Sequence, residues 1–217
     1  MLTDQPIRDL LAAFQAPTPV PAGGSASALA SAVGASLLMM VAALPKTRSG
    51  SNEDRQILAA ALLALTGLQP QLTEAIDADA AAYAQVAGAR RLPRTTDAEA
   101  ATRRAAVERT LHAATDVPLD VMRLSSLALQ QAPGVAKRGH REASSDVRVA
   151  IALLLAGFEG ARSSVQGNLD GLTDAAFVEA VKIEVGQLCR TAREAAAAAD
   201  DHITRLPDYP ITEMPSI

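Results

Sequence analysis

The chain has 217 residues, with 20 lysine and arginine side chains against 24 aspartates and glutamates and a formal net charge of −4, a balance that argues against a dedicated binder of nucleic-acid backbones. Only 2% of residues are aromatic although 49% are hydrophobic, and a core built so largely from alanine and leucine favours packed helices over strands, which draw on aromatic and β-branched residues. The single cysteine, Cys189, excludes an internal disulfide, and Met1-Leu2-Thr3-Asp4-Gln5 is no secretory signal, so a cytoplasmic chain is expected.

Pro6 marks a first helix start, after which Ile7, Leu10, Leu11 and Phe14 fall on one face. Pro17, Pro19 and Pro21 then block a helix, and Gly23-Gly24 leads into an uncharged run from about Ser25 that Leu44-Pro45 ends. That run is long enough to span a bilayer, but its serines and alanines make it weakly hydrophobic. It reads as an alanine-rich helix buried on all sides in a bundle, with no membrane partner. Asn52, with Glu53 and Asp54 after it, caps a helix to about Ala89, and Pro70 predicts a kink or break near Leu68-Gln69. Thr96-Asp97-Ala98-Glu99 fits a capping box. Pro118 is expected to interrupt the helix that follows, with a further piece to about Gln131 and a loop from Pro133 to Ser144. Ser145 is the expected cap of a helix with Val147, Ile151, Leu154, Leu155, Phe158 and Val165 on one stripe, and Thr173 of a last helix to about Ile203. The fold class is therefore all-α, a single helical-bundle domain of about six to eight helices over 1–217. Its helical body spans 1–205 and a tail with Pro207, Pro210 and Pro215 spans 206–217.

Three places carry candidate chemistry. Prolines stiffen the approach to Gly23, Gly24 and Ser25, where bare backbone and free N–H groups at a helix start suit an anion or a carbonyl; a close helix crossing explains the same glycines. In Ile76-Asp77-Ala78-Asp79-Ala80-Ala81-Ala82-Tyr83, Asp79 shares a face with Ile76 and Tyr83 while Asp77 points elsewhere. A carboxylate so placed is either structural or a base of raised basicity in a pocket. The loop from Lys137 to Asp146 holds His140, a lone proton carrier at best or part of an exposed turn. His112 and His202 have no companions at ligand spacing, so no metal site is expected.

Taken in order, these segments resemble the formimino-tetrahydrofolate cyclodeaminase and methenyl-tetrahydrofolate cyclohydrolase family. Its Pro-x-Pro-Gly-Gly-Gly-Ser loop is matched by Pro19-Val20-Pro21-Ala22-Gly23-Gly24-Ser25, with Ala28-Leu29-Ala30 after it. Asp79, Tyr83, Leu92-Pro93, Glu99, Arg103 and Val117-Pro118-Leu119 follow the family's order, as do Gly139, Ser145-Asp146 and Asn168-Leu169. The chain departs at Ala22 for a glycine, at His140 and Ser164 where asparagines are usual, and in Thr47-Arg48-Ser49-Gly50-Ser51, which replaces a Lys-rich loop ending in Tyr.

The resemblance implies a tetrahydrofolate derivative as substrate, a homodimer, and no metal. It implies Asp79 as the general base, and substrate contacts from Pro21, Gly23, Gly24, Ser25, Arg48, Tyr83, His140, Asp146 and Asn168. Hydrolysis of 5,10-methenyltetrahydrofolate to 10-formyltetrahydrofolate is the leading expectation, since no formiminotransferase segment accompanies the chain. The alternatives are cyclodeamination of formimino-tetrahydrofolate with release of ammonia, and a non-catalytic helical protein binding a folate-like ligand or a partner.

Overall fold

The computed structural model describes residues 1–203. The expected proline-containing tail over 206–217, and the last two residues of the helical body expected over 1–205, lie outside the described residues. Among those described there are six α-helices: α1 Ile7–Gln15, α2 Gly23–Ala42, α3 Asn52–Arg90, α4 Asp97–Arg138, α5 Ser144–Leu169 and α6 Ala175–Asp200. Two 3-10 turns, Leu2–Asp4 and Arg141–Ala143, complete the list. No strand forms among the described residues beyond an isolated bridge from Thr47 to Gly139. The all-α expectation is borne out.

Helix α2 lies between α3, α4 and α5, with α6 laid on α4. None of its 20 residues is charged, in keeping with a helix covered on most sides, but the expected burial on all sides is not met: Ala26, Val33, Ser36 and Met40 lie on a side that no other helix among the described residues covers. It is the one helix among the described residues long and apolar enough to cross a membrane, yet Ala28, Ala35, Leu38 and Val41 are fully enclosed by the bundle. Small side chains set the crossing of α2 with α5. A methyl on Gly157 would sit 2.0 Å from Ser31 Oγ and 2.5 Å from the Ser27 carbonyl oxygen, so only glycine permits this approach. Among the buried hydroxyls, Ser125 donates to Ser31 at 2.7 Å, whereas Ser126 Oγ has no partner among the described residues.

Several boundaries differ from the sequence expectations. α2 begins at Gly23, two residues before Ser25, and ends at Ala42. Pro70 does not break α3. Pro70 and Thr66, whose carbonyl the proline leaves unpaired, are both exposed, so the lost bond falls on the solvent side of the helix, where it costs least. Pro118 and Pro133 likewise lie inside one continuous α4 of 42 residues, and the loop expected over 133–144 shrinks to Gly139, His140 and a single turn. The caps are Ser51 and Asp174, whose side chains accept from Asp54 and from Ala176 and Phe177. α5 starts at Ser144, without a side-chain cap from Ser145. The capping box of Thr96 and Glu99 forms as expected. In α1 only Leu10 is buried, and Ile7 and Leu11 stand exposed.

Candidate active site

The amino end of α2 meets the middle of α3 at Asp79. Ser25, fully buried, donates its hydroxyl to Asp79 Oδ2 at 3.0 Å and also lies 2.9 Å from the Ile76 carbonyl. One hydroxyl proton thus faces two acceptors, and the Ile76 carbonyl remains available to it whenever Asp79 is protonated. The approach depends on Gly24, because a methyl there would lie 2.0 Å from Asp79 Oδ1. Burial pushes the Asp79 carboxyl above the usual aspartate range, against the opposing pull of the Ser25 hydroxyl and amide. Asp79 has no arginine or lysine partner among the described residues; its environment is that of a base rather than of an ion pair.

Asp77 behaves differently two residues away. Its carboxylate accepts from the Leu2 amide at 2.5 Å and the Thr3 hydroxyl at 2.7 Å. Burial works to raise its pKa, but these donors outweigh it and hold the group below the ordinary value. Asp77 therefore ties the amino terminus to α3, and the two aspartates point to different faces, as expected.

Asp79 opens on a cavity of about 280 Å³. The loop before α2 contributes Val20 and Ala22, and α2 contributes Gly23 and Gly24. From α3 come Asp79, Ala82, Tyr83, Val86 and Arg90, one helix face at successive turns. Leu111 and Ala114 of α4 form an apolar wall, and Ser164, Gly167 and Asn168 of α5 close the end. The cavity is thus polar at both ends and apolar between, with a carboxylate at one end and a guanidinium at the other. Among the described residues no three His, Cys, Asp or Glu side chains come together to hold a metal ion.

The residues singled out from sequence fall into two groups. Gly23, Gly24, Asp79, Tyr83 and Asn168 line this cavity. Ser25 and Pro21 are buried beside it, Pro21 following a cis peptide bond. Arg48, His140 and Asp146 do not join them. Arg48 lines a separate groove with Ser51, Asp54, Lys137 and Arg138. His140 precedes the turn into α5, whose first turn holds Asp146, and the adjacent Gly139 packs on Val41 at the carboxyl end of α2. The helical rise separates Gly24 from Val41 by about 26 Å, so a single copy of the chain cannot bring both groups to one small molecule's reacting carbon.

Asn168 has a structural task as well. Its Nδ2 donates to the Ala114 carbonyl at 2.9 Å, the acceptor that Pro118, lacking an N–H, cannot serve. This bond lets α4 run unbroken past Pro118. Sequence reasoning missed Arg90, although it stands on the Asp79 face at helical spacing, four residues beyond Val86.

The sequence profile of the formiminotransferase-cyclodeaminase family matches residues 6–187. The chain is 36% identical over 179 residues to a methenyltetrahydrofolate cyclohydrolase of Methylorubrum extorquens, covering 82% of this chain and 86% of that one. It is 31% identical over 196 residues to a formimidoyltransferase-cyclodeaminase of Rattus norvegicus, covering 90% of this chain but only 36% of that longer protein. The fold matches the crystal structure of a formiminotetrahydrofolate cyclodeaminase from Thermotoga maritima with a TM-score of 0.83, at 19% identity and over 94% of this chain and 98% of that one. With the profile match spanning most of the chain, this protein belongs to the formiminotransferase-cyclodeaminase family.

Proposed function

We propose that the chain hydrolyses 5,10-methenyltetrahydrofolate to 10-formyltetrahydrofolate with Asp79 as general base. The observation that carries this reading is the Asp79 carboxylate, desolvated, hydrogen-bonded to Ser25 and without a cationic partner, at one end of a cavity with an arginine at the other. The methenyl bridge is a carbon between two nitrogens that share a positive charge. An unpaired carboxylate beside it stabilises that charge, and the desolvation that raises Asp79's basicity suits it to take a proton from water. The water oxygen bonds to the bridge carbon as its proton passes to Asp79. The tetrahedral adduct then collapses: one carbon–nitrogen bond breaks, the departing nitrogen takes the proton held by Asp79, and the adduct's remaining hydroxyl proton passes to solvent as the carbonyl forms. The cation and one water thus become the neutral formyl product and one released proton, and Asp79 is regenerated.

Cyclodeamination at the same carbon, with ammonia leaving, is the second reading. Its support is the similarity to the cyclodeaminase-containing relatives. Identity to the cyclohydrolase is higher and spans most of that protein's length, which favours hydrolysis. Asp79→Asn decides whether the cavity is catalytic. The variant is expected to fold and to lose roughly a hundred- to ten-thousand-fold in rate. Because a carboxyl with a raised folded-state pKa is destabilising when ionised, and this cost disappears as pH falls through that pKa, Asp79→Asn is expected to melt no lower than wild type at pH 7. Wild-type turnover in a folded Asp79→Asn protein overturns the assignment. Ammonia release from formimino-tetrahydrofolate without methenyl hydrolysis selects the second reading, and no binding of any reduced folate leaves the non-catalytic alternative.

A homodimer is part of this proposal. The outward side of α2 shows Ala26, Val33 and Met40 to solvent with no charge among them, and a second copy is the commonest cover for such a face. Packing two α2 helices antiparallel across a two-fold axis would set the Arg48, His140 and Asp146 end of one copy beside the Asp79 cavity of the other. Sedimentation as a monomer at micromolar concentration would refute it.

A further inference from the structure

The contacts of α2 with α5 set a register that runs on into the Asp79 cavity. Gly34 lies against Ala150 and Leu154, Ser31 against Gly157, and Ser27 against Gly160. Residue numbers fall along α2 as they rise along α5, so the two helices run antiparallel in close contact. One further turn along each brings Gly23 opposite Ser164, and both line the cavity. The packing changes there. A methyl on Gly157 or Gly160 would collide with the α2 serines at 2.0 and 2.2 Å, whereas a methyl on Gly23 would meet nothing within 4 Å. The cavity therefore reaches the bare Gly23 backbone on one side and the Ser164 side chain on the other. Gly24, next in the chain, abuts the Asp79 carboxylate, so the space between Gly23 and Ser164 borders the base.

The Ser164 hydroxyl is free to serve that space. It is half-buried and donates to the Gly160 carbonyl at 3.3 Å, longer than the ordinary O–H···O range of about 2.5–3.0 Å. Ser27, Ser36 and Ser163 make the same kind of bond at 2.6, 2.8 and 3.0 Å. With its proton turned back onto its own helix, Ser164 presents oxygen lone pairs to the cavity. Asn168, one turn on, holds the Ala114 carbonyl and lies a turn further from Gly23.

We infer that Ser164 is a further catalytic residue, its oxygen accepting the second proton of the water that Asp79 activates. The inference rests on the hydrolysis reading above. A water attacking the bridge carbon has to aim a lone pair at that carbon. One of its protons goes to Asp79, and the other is held aside by an acceptor across from the base, which fixes the direction of attack. Once the carbon–oxygen bond has formed, that second proton is the hydroxyl proton of the adduct. Ser164 holds it until it passes to solvent as the carbonyl forms, and keeps its own proton throughout.

The test is steady-state hydrolysis of methenyl-tetrahydrofolate by variants at residue 164, beside thermal melts and a pH profile. Ser164→Ala removes the acceptor, and its kcat is expected to fall about tenfold, the worth of one hydrogen bond. Its KM is expected to stay near that of wild type, because the folate keeps its own contacts. Its melting temperature is expected not to fall, alanine being the better helix former. Ser164→Asn, which carries the residue usual in the family, offers an oxygen again and is expected to recover most of the lost kcat. The acidic limb of the Ser164→Ala profile is expected to stay in place, since burial and Ser25 set the Asp79 pKa. Wild-type kcat in a folded Ser164→Ala protein, a rise in KM in place of a fall in kcat, a displaced acidic limb, or Ser164→Asn as slow as Ser164→Ala would overturn this role and leave the hydrolysis reading standing. Absence of methenyl hydrolysis in wild type would remove both.

Discussion

Replacing Gly24 by alanine separates the placement of the Asp79 carboxylate from its mere presence. A methyl group at residue 24 would lie 2.0 Å from Asp79 Oδ1, 2.5 Å from Cγ and 2.7 Å from Oδ2, against an ordinary contact of 3.4 Å or more. The carboxylate must therefore retreat by about 1.4 Å from that contact alone. The retreat draws Oδ2 off the Ser25 hydroxyl, now 3.0 Å away, but Ser25 keeps the Ile76 carbonyl at 2.9 Å and is not left unpaired. Misplacing a reacting group by about 1 Å costs on the order of a hundredfold in rate, which corresponds to about 2.7 kcal/mol of transition-state stabilisation. The fold is affected far less, because alanine in place of helical glycine recovers roughly 0.5–1 kcal/mol of backbone entropy that offsets local strain. Steady-state loss of the methenyl chromophore, read beside a thermal melt, measures both quantities. A folded Gly24→Ala protein whose kcat/KM stays within about threefold of wild type would refute the reasoning, since that ratio reports transition-state stabilisation directly.

Two further outcomes follow from the same contacts. Burial raises the Asp79 pKa and the Ser25 hydroxyl opposes it, so the acidic limb of the kcat/KM profile is expected above the range of an ordinary aspartate, and Ser25→Ala moves it further up; a limb that stays put or moves down in the pH profile contradicts this. Asn168→Ala leaves the Ala114 carbonyl without the donor that replaces the Pro118 amide, and chemical denaturation is expected to register a loss of about 1–3 kcal/mol; unchanged stability would mean that water takes over the bond.

Much of this protein is decided by local chemistry that the sequence states outright. The capping box at Thr96 and Glu99 needs only four residues, and the uncharged alanine-rich stretch after Gly23 can be stable in water only where other helices enclose it. Helical spacing alone puts Asp79 and Asp77 on different faces. What it did not decide lies in contacts between distant residues. Pro118 and Pro133 read as breaks because an interior proline removes a hydrogen bond and crowds the preceding turn, yet α4 runs through both. At Pro118 the reason is visible: Asn168, 50 residues further on, takes up the freed carbonyl. From composition alone Gly24 read as part of a glycine-rich cap that lets two helices cross closely, and only the meeting of α2 with α3 shows that its missing side chain makes room for the Asp79 carboxylate. Arg48, His140 and Asp146 looked like neighbours of Asp79 because motif order carries no distance, and the length of α2 holds them at the other end of the bundle. Arg90 and Arg103, thirteen residues apart across a turn, become one basic wall only when α3 and α4 pack together, since which cations share a cavity is set by helix packing and not by their order in the chain.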